Sequence, residues 1–219
     1  MSPALAGLVI LVIGDSQIAG AGHFNNALHD GLVGEGATVH TFGVCGSIPS
    51  DWITPVPIPC GRGERHNSAP AQLSTDAKLR GWPLYALISR YHPNIVVVAL
   101  GDTLAGYGVA RGLPREWITD EVHQLLLPVR SARASCIWIG PTWGTENGPY
   151  QKTFVRVKAL SDLLSQIVAP CRYVDSLMFS RPGEWRTIDG VNLTPSSTRL
   201  WDADLIQSID QIAVTLPGH

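Results

Sequence analysis

The stretch VIGDSQIAGAG, residues 12–22, decides the fold. It closes an apolar run from Leu8 to Ile13 on Gly14, Asp15 and Ser16. Such a run, ended by a glycine and two small polar residues, reads as a buried strand feeding a tight turn. A first helix is predicted to follow from about Ala21, in AGHFNNALHDGLVGEG. Working outward, the same alternation recurs along the chain. ATVHTFGV (37–44) is a second strand, followed by a loop from Cys45 to Cys60 and irregular chain to about Ser68. A helix over about Gly81–Tyr91 precedes a third strand, in which Ile95 to Ala99 are five successive apolar residues, the mark of a strand covered on both faces. REWITDEVHQLLLPVRSA, QKTFVRVKALSDLLSQIVA and STRLWDADLIQSIDQIAVTL are helical, and SCIWIGP and CRYVDS are the fourth and fifth strands.

Strands alternating with helices predict a three-layer α/β domain: a five-stranded parallel sheet in the flavodoxin-like order 2-1-3-4-5, with helices on both faces. With 219 residues, 45% of them hydrophobic, and no repeat or linker, residues 1–219 are expected to form one domain. A net charge of −2 without a basic run argues against a nucleic-acid partner. The apolar segment Ala4–Gly14 is too short for a membrane span, which needs about 20 residues, so no membrane insertion is expected. It also lacks the flanks of a signal peptide.

Cys45, Cys60, Cys136 and Cys171 lack zinc-ligand spacing, and neither a metal nor a cofactor is expected. Cys45 and Cys60 bracket a Pro- and Gly-rich loop that a disulfide would rigidify. Cys136 and Cys171 open two strands that are neighbours in the expected order, so they too are within bridging range. Two bridges favour an extracellular, periplasmic or virion-associated setting; the alternative is four buried thiols.

In sheets of this kind ligands bind beyond the carboxyl ends of the strands. The residues there are Gly14-Asp15-Ser16, Gly43 with Cys45-Gly46, Gly101-Asp102-Thr103, Gly140-Pro141-Thr142-Trp143 and IDGVNLTP (188–195). Taken in order, GDS, GVCG and DGVNLTP resemble the SGNH, or GDSL, hydrolase superfamily across nearly the whole chain. The resemblance implies that Ser16 is an acyl-accepting nucleophile. It also implies an oxyanion hole from the Ser16 amide, Gly46 and the residue at 103, and an orienting carboxylate at Asp189 paired with the residue at 192. Its substrates would be small acyl esters or acylated carbohydrates.

Two positions depart from the family pattern. Thr103 stands where the family has asparagine, and Asn192 where it has the histidine base. An asparagine amide can hydrogen-bond Ser16 but has no basic nitrogen to take its proton. His66, in the long loop, and Asp102, beside the oxyanion position, are the candidate replacement bases. His23 and His29 are expected on the first helix, His40 inside strand two, His92 in a turn, His123 in mid-helix and His219 at the terminus. Trp52, Trp82, Trp143 and Trp185 are either stacking platforms for a sugar or acyl chain or buried loop anchors. Arg62, Arg65, Arg181 and Arg186 either meet an anionic substrate or are solvated. Two functions follow: an esterase or deacetylase with a degenerate triad and weak or absent activity, or an inactive SGNH-fold protein with a glycan-binding or structural role.

Overall fold

The computed structural model describes residues 4–20, 22–58, 60–105 and 112–216. Its centre is a sheet of seven strands. Five of them, β1 (Val9–Gly14), β4 (Thr38–Val44), β7 (Ile95–Ala99), β8 (Ser135–Ile139) and β9 (Arg172–Val174), are mutually parallel and lie in the spatial order β4-β1-β7-β8-β9. That is the predicted 2-1-3-4-5.

Successive side chains on β1 point to opposite faces, as strand geometry requires. Leu11 and Ile13 enter one core with α2 (Leu84–Tyr91), α3 (Arg115–Ala132) and α4 (Phe154–Ile167). Ile10 and Val12 enter the other with α1 (Asn26–Gly34) and α5 (Pro195–Ala213). Every residue of β7 is buried, which explains its unbroken apolar run.

The sheet has seven strands rather than five. β5 (Arg62–His66) and β6 (Gln72–Ser74) extend the β4 edge, each antiparallel to its neighbour, within chain read largely as irregular from sequence. RGERH and QLS carry no apolar alternation because these edge strands are largely half-buried or exposed. Cys45–Cys60 joins the end of β4 to the start of this ribbon, with Cα atoms 5.4 Å apart. Cys136–Cys171 ties β8 to β9 across 4.4 Å. Both expected bridges are therefore present.

The first helix also begins later than expected. Ala19–Gly20 (β2) and His23–Phe24 (β3) pair antiparallel, turning through Gly22 at φ +74°. Asn25 then caps α1 by accepting the Leu28 amide at 3.2 Å. Among the described residues no helix is long and apolar enough to cross a membrane.

Candidate functional site

The turn after β1 lies across the end of β4. A side chain at Gly43 would come within 2.6 Å of the Ala19 amide nitrogen, so only glycine allows this approach. Asp15 anchors the turn: its carboxylate accepts the Gln17 amide at 3.0 Å, and its carbonyl accepts those of Ile18 and Ala19, both at 3.0 Å. Ser16 is left half-buried at the mouth of a cavity of about 640 Å³.

The last family block folds over this turn. Ile188 donates to the Asn192 carbonyl at 2.8 Å, and Gly190 takes φ +93°, closing the loop before α5. Inside it, Asp189 accepts the amides of Val191 at 2.9 Å and Asn192 at 2.7 Å. The Asn192 side-chain amide donates to the second Asp189 oxygen at 2.7 Å. Asn192 Oδ1 in turn accepts the Ser16 hydroxyl at 2.8 Å. The three residues form one hydrogen-bonded chain, Ser16–Asn192–Asp189. Burial raises the pKa of Asp189, but the donors from Asn192 and Val191 outweigh it and hold the carboxyl below its usual value.

Ser16, Gly46 and Thr103 all line the cavity. Gly46 sits at φ +73°, a conformation that favours glycine. Among the described residues the backbone amides of Ser16 and Gly46 donate to nothing in the protein. The Thr103 hydroxyl, by contrast, donates its single proton to the Ser47 carbonyl at 2.8 Å.

The two candidate replacement bases lie in different surroundings. His66 pairs with His40 in the β4–β5 register, with a 2.9 Å contact between their Nδ1 atoms. That register lies four residues before Val44, about 13 Å back along the strand from the carboxyl end. Asp102 does line the cavity, but both its oxygens are engaged: Oδ1 with Lys152 Nζ at 2.6 Å and Oδ2 with Gln17 Nε2 at 3.1 Å. His29 is buried between Thr41 and the Asn67 carbonyl, His92 is the left-handed cap of α2, and His219 lies outside the described residues. His23 does not lie on α1; it stands on β3 and lines the cavity with Ser16. The Gly20 and Gly22 pair flanking Ala21 was the available signal for a hairpin rather than a helix.

A second polar group, unforeseen from sequence, lies behind the Ser16 turn. Lys152 is 1% exposed and pairs with Asp102, itself 6% exposed. Gln17 bridges Asp102 to the Val191 carbonyl at 3.2 Å and so ties the Ser16 turn to the Asn192 loop. Burial, and then the nearby Asp102 charge, push the Asp15 carboxyl up to about 7 against the amides of Gln17 and Gly101 and the Lys152 charge. Nothing in the sequence around Lys152 marks it as buried.

Of the four tryptophans considered as stacking platforms, Trp52, Trp143 and Trp185 are buried anchors, and Trp82 packs under the Arg62 guanidinium. None lines the cavity. Arg65 pairs with Asp30 at 2.6 Å on the sheet edge.

The chain is 38% identical over 209 residues to protein BcsX of Komagataeibacter xylinus, covering 95% of this chain and 79% of that protein. It belongs to the BcsX family. No family model matches the sequence. Its structural neighbours are SGNH/GDSL hydrolases, and the chain has that fold. It is similar in structure to a carbohydrate esterase family 3 protein from Talaromyces cellulolyticus, with TM-score 0.60 and 13% identity over 95% of this chain and 99% of that one. A GDSL-like lipase from Bacteroides thetaiotaomicron VPI-5482 has TM-score 0.57 and 11% identity over 93% and 88%. The psychrotrophic esterase EstA from a Pseudoalteromonas species has TM-score 0.56 and 16% identity over 93% and 97%.

Proposed function

We propose that this BcsX relative takes small acyl esters, or the acyl groups of acylated carbohydrates, into the Ser16 cavity, and that Asn192 holds its turnover low. We read residues 1–219 as one such domain. The observation that carries the proposal is the Ser16–Asn192–Asp189 chain. It keeps the hydrogen-bond connectivity of a serine hydrolase relay but places an amide where proton transfer needs an imidazole. Ile48, Ile188, Val191 and Leu193 give the cavity apolar walls, and its described lining includes no lysine or arginine. A neutral acyl group suits such walls; an anionic one does not. The two disulfides fit an oxidising compartment, extracellular, periplasmic or virion-associated.

The test is aryl-ester hydrolysis by Asn192→His. A general base is typically worth about 10²–10⁴ in rate, and a gain in that range is expected, because Asp189 is already placed to orient an imidazole. Ser16→Ala in the same background should remove the gain. Adding Thr103→Asn should raise the rate further by supplying a side-chain donor that Thr103 spends on Ser47.

A second reading, an inactive fold kept for glycan binding or structure, draws support from the Ser16 hydroxyl donating its only proton to Asn192. It becomes the better account if Asn192→His folds normally and gains nothing.

A further inference from the structure

We propose that His23 is the proton acceptor for Ser16 in the native protein, so that the turnover left by Asn192 runs through the β2–β3 hairpin. The inference rests on the reading of Ser16 as an acyl acceptor. Of the six histidines in the described residues, His23 is the one that lines the Ser16 cavity. The hairpin follows directly from the Ser16 turn: Ala19 pairs with Phe24 and Gly20 with His23, and Asn25 closes the unit by donating to the Ile18 carbonyl at 2.8 Å. Ser16 and His23 therefore stand on one short, internally bonded segment that faces one cavity.

His23 is exposed on β3, and its partial burial against the cavity wall lowers its pKa below the ordinary 6.5. At neutral pH the ring is therefore uncharged and carries a basic nitrogen lone pair. Asn192 has no such lone pair, and the Asp102 carboxylate is occupied by Lys152 and Gln17.

In the step proposed, the Ser16 hydroxyl leaves Asn192 Oδ1 and its oxygen bonds to the acyl carbon. The hydroxyl proton passes to the imidazole of His23, directly or through one water, and the carbonyl π pair moves onto oxygen. Collapse of the tetrahedral intermediate expels the alcohol, whose oxygen takes the proton back from His23. Water then attacks the acyl-enzyme with the same transfers, releasing the acid and restoring the Ser16 hydroxyl. No carboxylate orients the His23 ring in this scheme, so the rate stays well below that of a complete triad.

The test uses the full chain and a fluorophosphonate probe, with Ser16 modification followed by intact mass. In this reaction the Ser16 oxygen bonds to phosphorus, fluoride leaves with its electron pair and the proton goes to His23. Ser16 should be labelled in the native protein, and His23→Gln should slow labelling at least tenfold while the Tm stays within about 2 °C. In an Asn192→His background, where a second imidazole serves Ser16, the penalty of His23→Gln should fall below threefold. Native-rate labelling of His23→Gln would overturn the proposal, as would equal penalties in both backgrounds, which mark a structural role. If Asn192→His labels quickly and the native protein does not label at all, only the His23 assignment fails. If neither labels, the reading of Ser16 as an acyl acceptor fails with it.

Discussion

Two carboxylates flank Ser16, and their surroundings push them in opposite directions. Asp189 sits half-buried on a loop, accepts three hydrogen bonds from Val191 and Asn192, and is held below the usual carboxylate range. Asp15 is 1% exposed, lies near the Asp102 charge, and is raised to about 7. The first belongs to a chain open to the cavity, where geometry serves chemistry. The second belongs to a buried group, Asp15, Asp102, Lys152 and Gln17, that holds the turn and the Asn192 loop in register. The cavity chain should therefore govern rate and the buried group stability.

The largest effect should come from breaking the buried group. Lys152→Met breaks the buried ion pair with Asp102 by removing its cation, a change that typically costs about 3–5 kcal/mol. Denaturant unfolding should show that loss. A loss below about 1 kcal/mol would mean that solvent reaches Asp102 and that the two regions are less distinct than their burial indicates.

Next in size is the bridge that holds the cavity wall. Replacing Cys45 and Cys60 together by alanine frees the loop between them, 15 residues in sequence separation. Loss of a closed loop of that length costs about 3 kcal/mol on the chain-entropy account. Because both cysteines line the cavity, rates in the Asn192→His background should fall as well. A fall in stability with no change in rate would place the wall outside the substrate path.

Smallest per unit of pH is the titration of Asp15. Asp15 has a folded pKa raised above its ordinary 3.8, so the stability it contributes is fully present below 3.8 and is lost as pH rises through about 7. Asp15→Asn should therefore raise Tm relative to the native chain most at pH 8, and the advantage should shrink on acidification at up to about 1.4 kcal/mol per pH unit. For Asp189 the sign is reversed: its lowered pKa contributes stability above 3.8 that is lost as pH falls through the folded value. A Tm difference that does not vary with pH would show that Asp15 titrates normally.

The apolar runs and glycine exits of the central strands were legible as sequence because β1 and β7 are buried on both faces and leave an unbroken hydrophobic signature. The order of the family blocks likewise placed Ser16, Gly46, Asp189 and Asn192 at one end of the sheet, and the type of residue 192 alone showed an amide there. The β5–β6 edge was not legible, because half-solvated strands need no apolar alternation and are held by pairing to β4 and by Cys45–Cys60. His23 was misplaced onto a helix because the local glycine signal around residue 21 was not weighed; in the structure the hairpin's Ala19 also packs over the distant Gly43. Only the tertiary structure decided what faces Ser16. Residue identity determines which groups can donate or accept a proton, but their distances are set by strands and loops brought together across some 176 residues of chain.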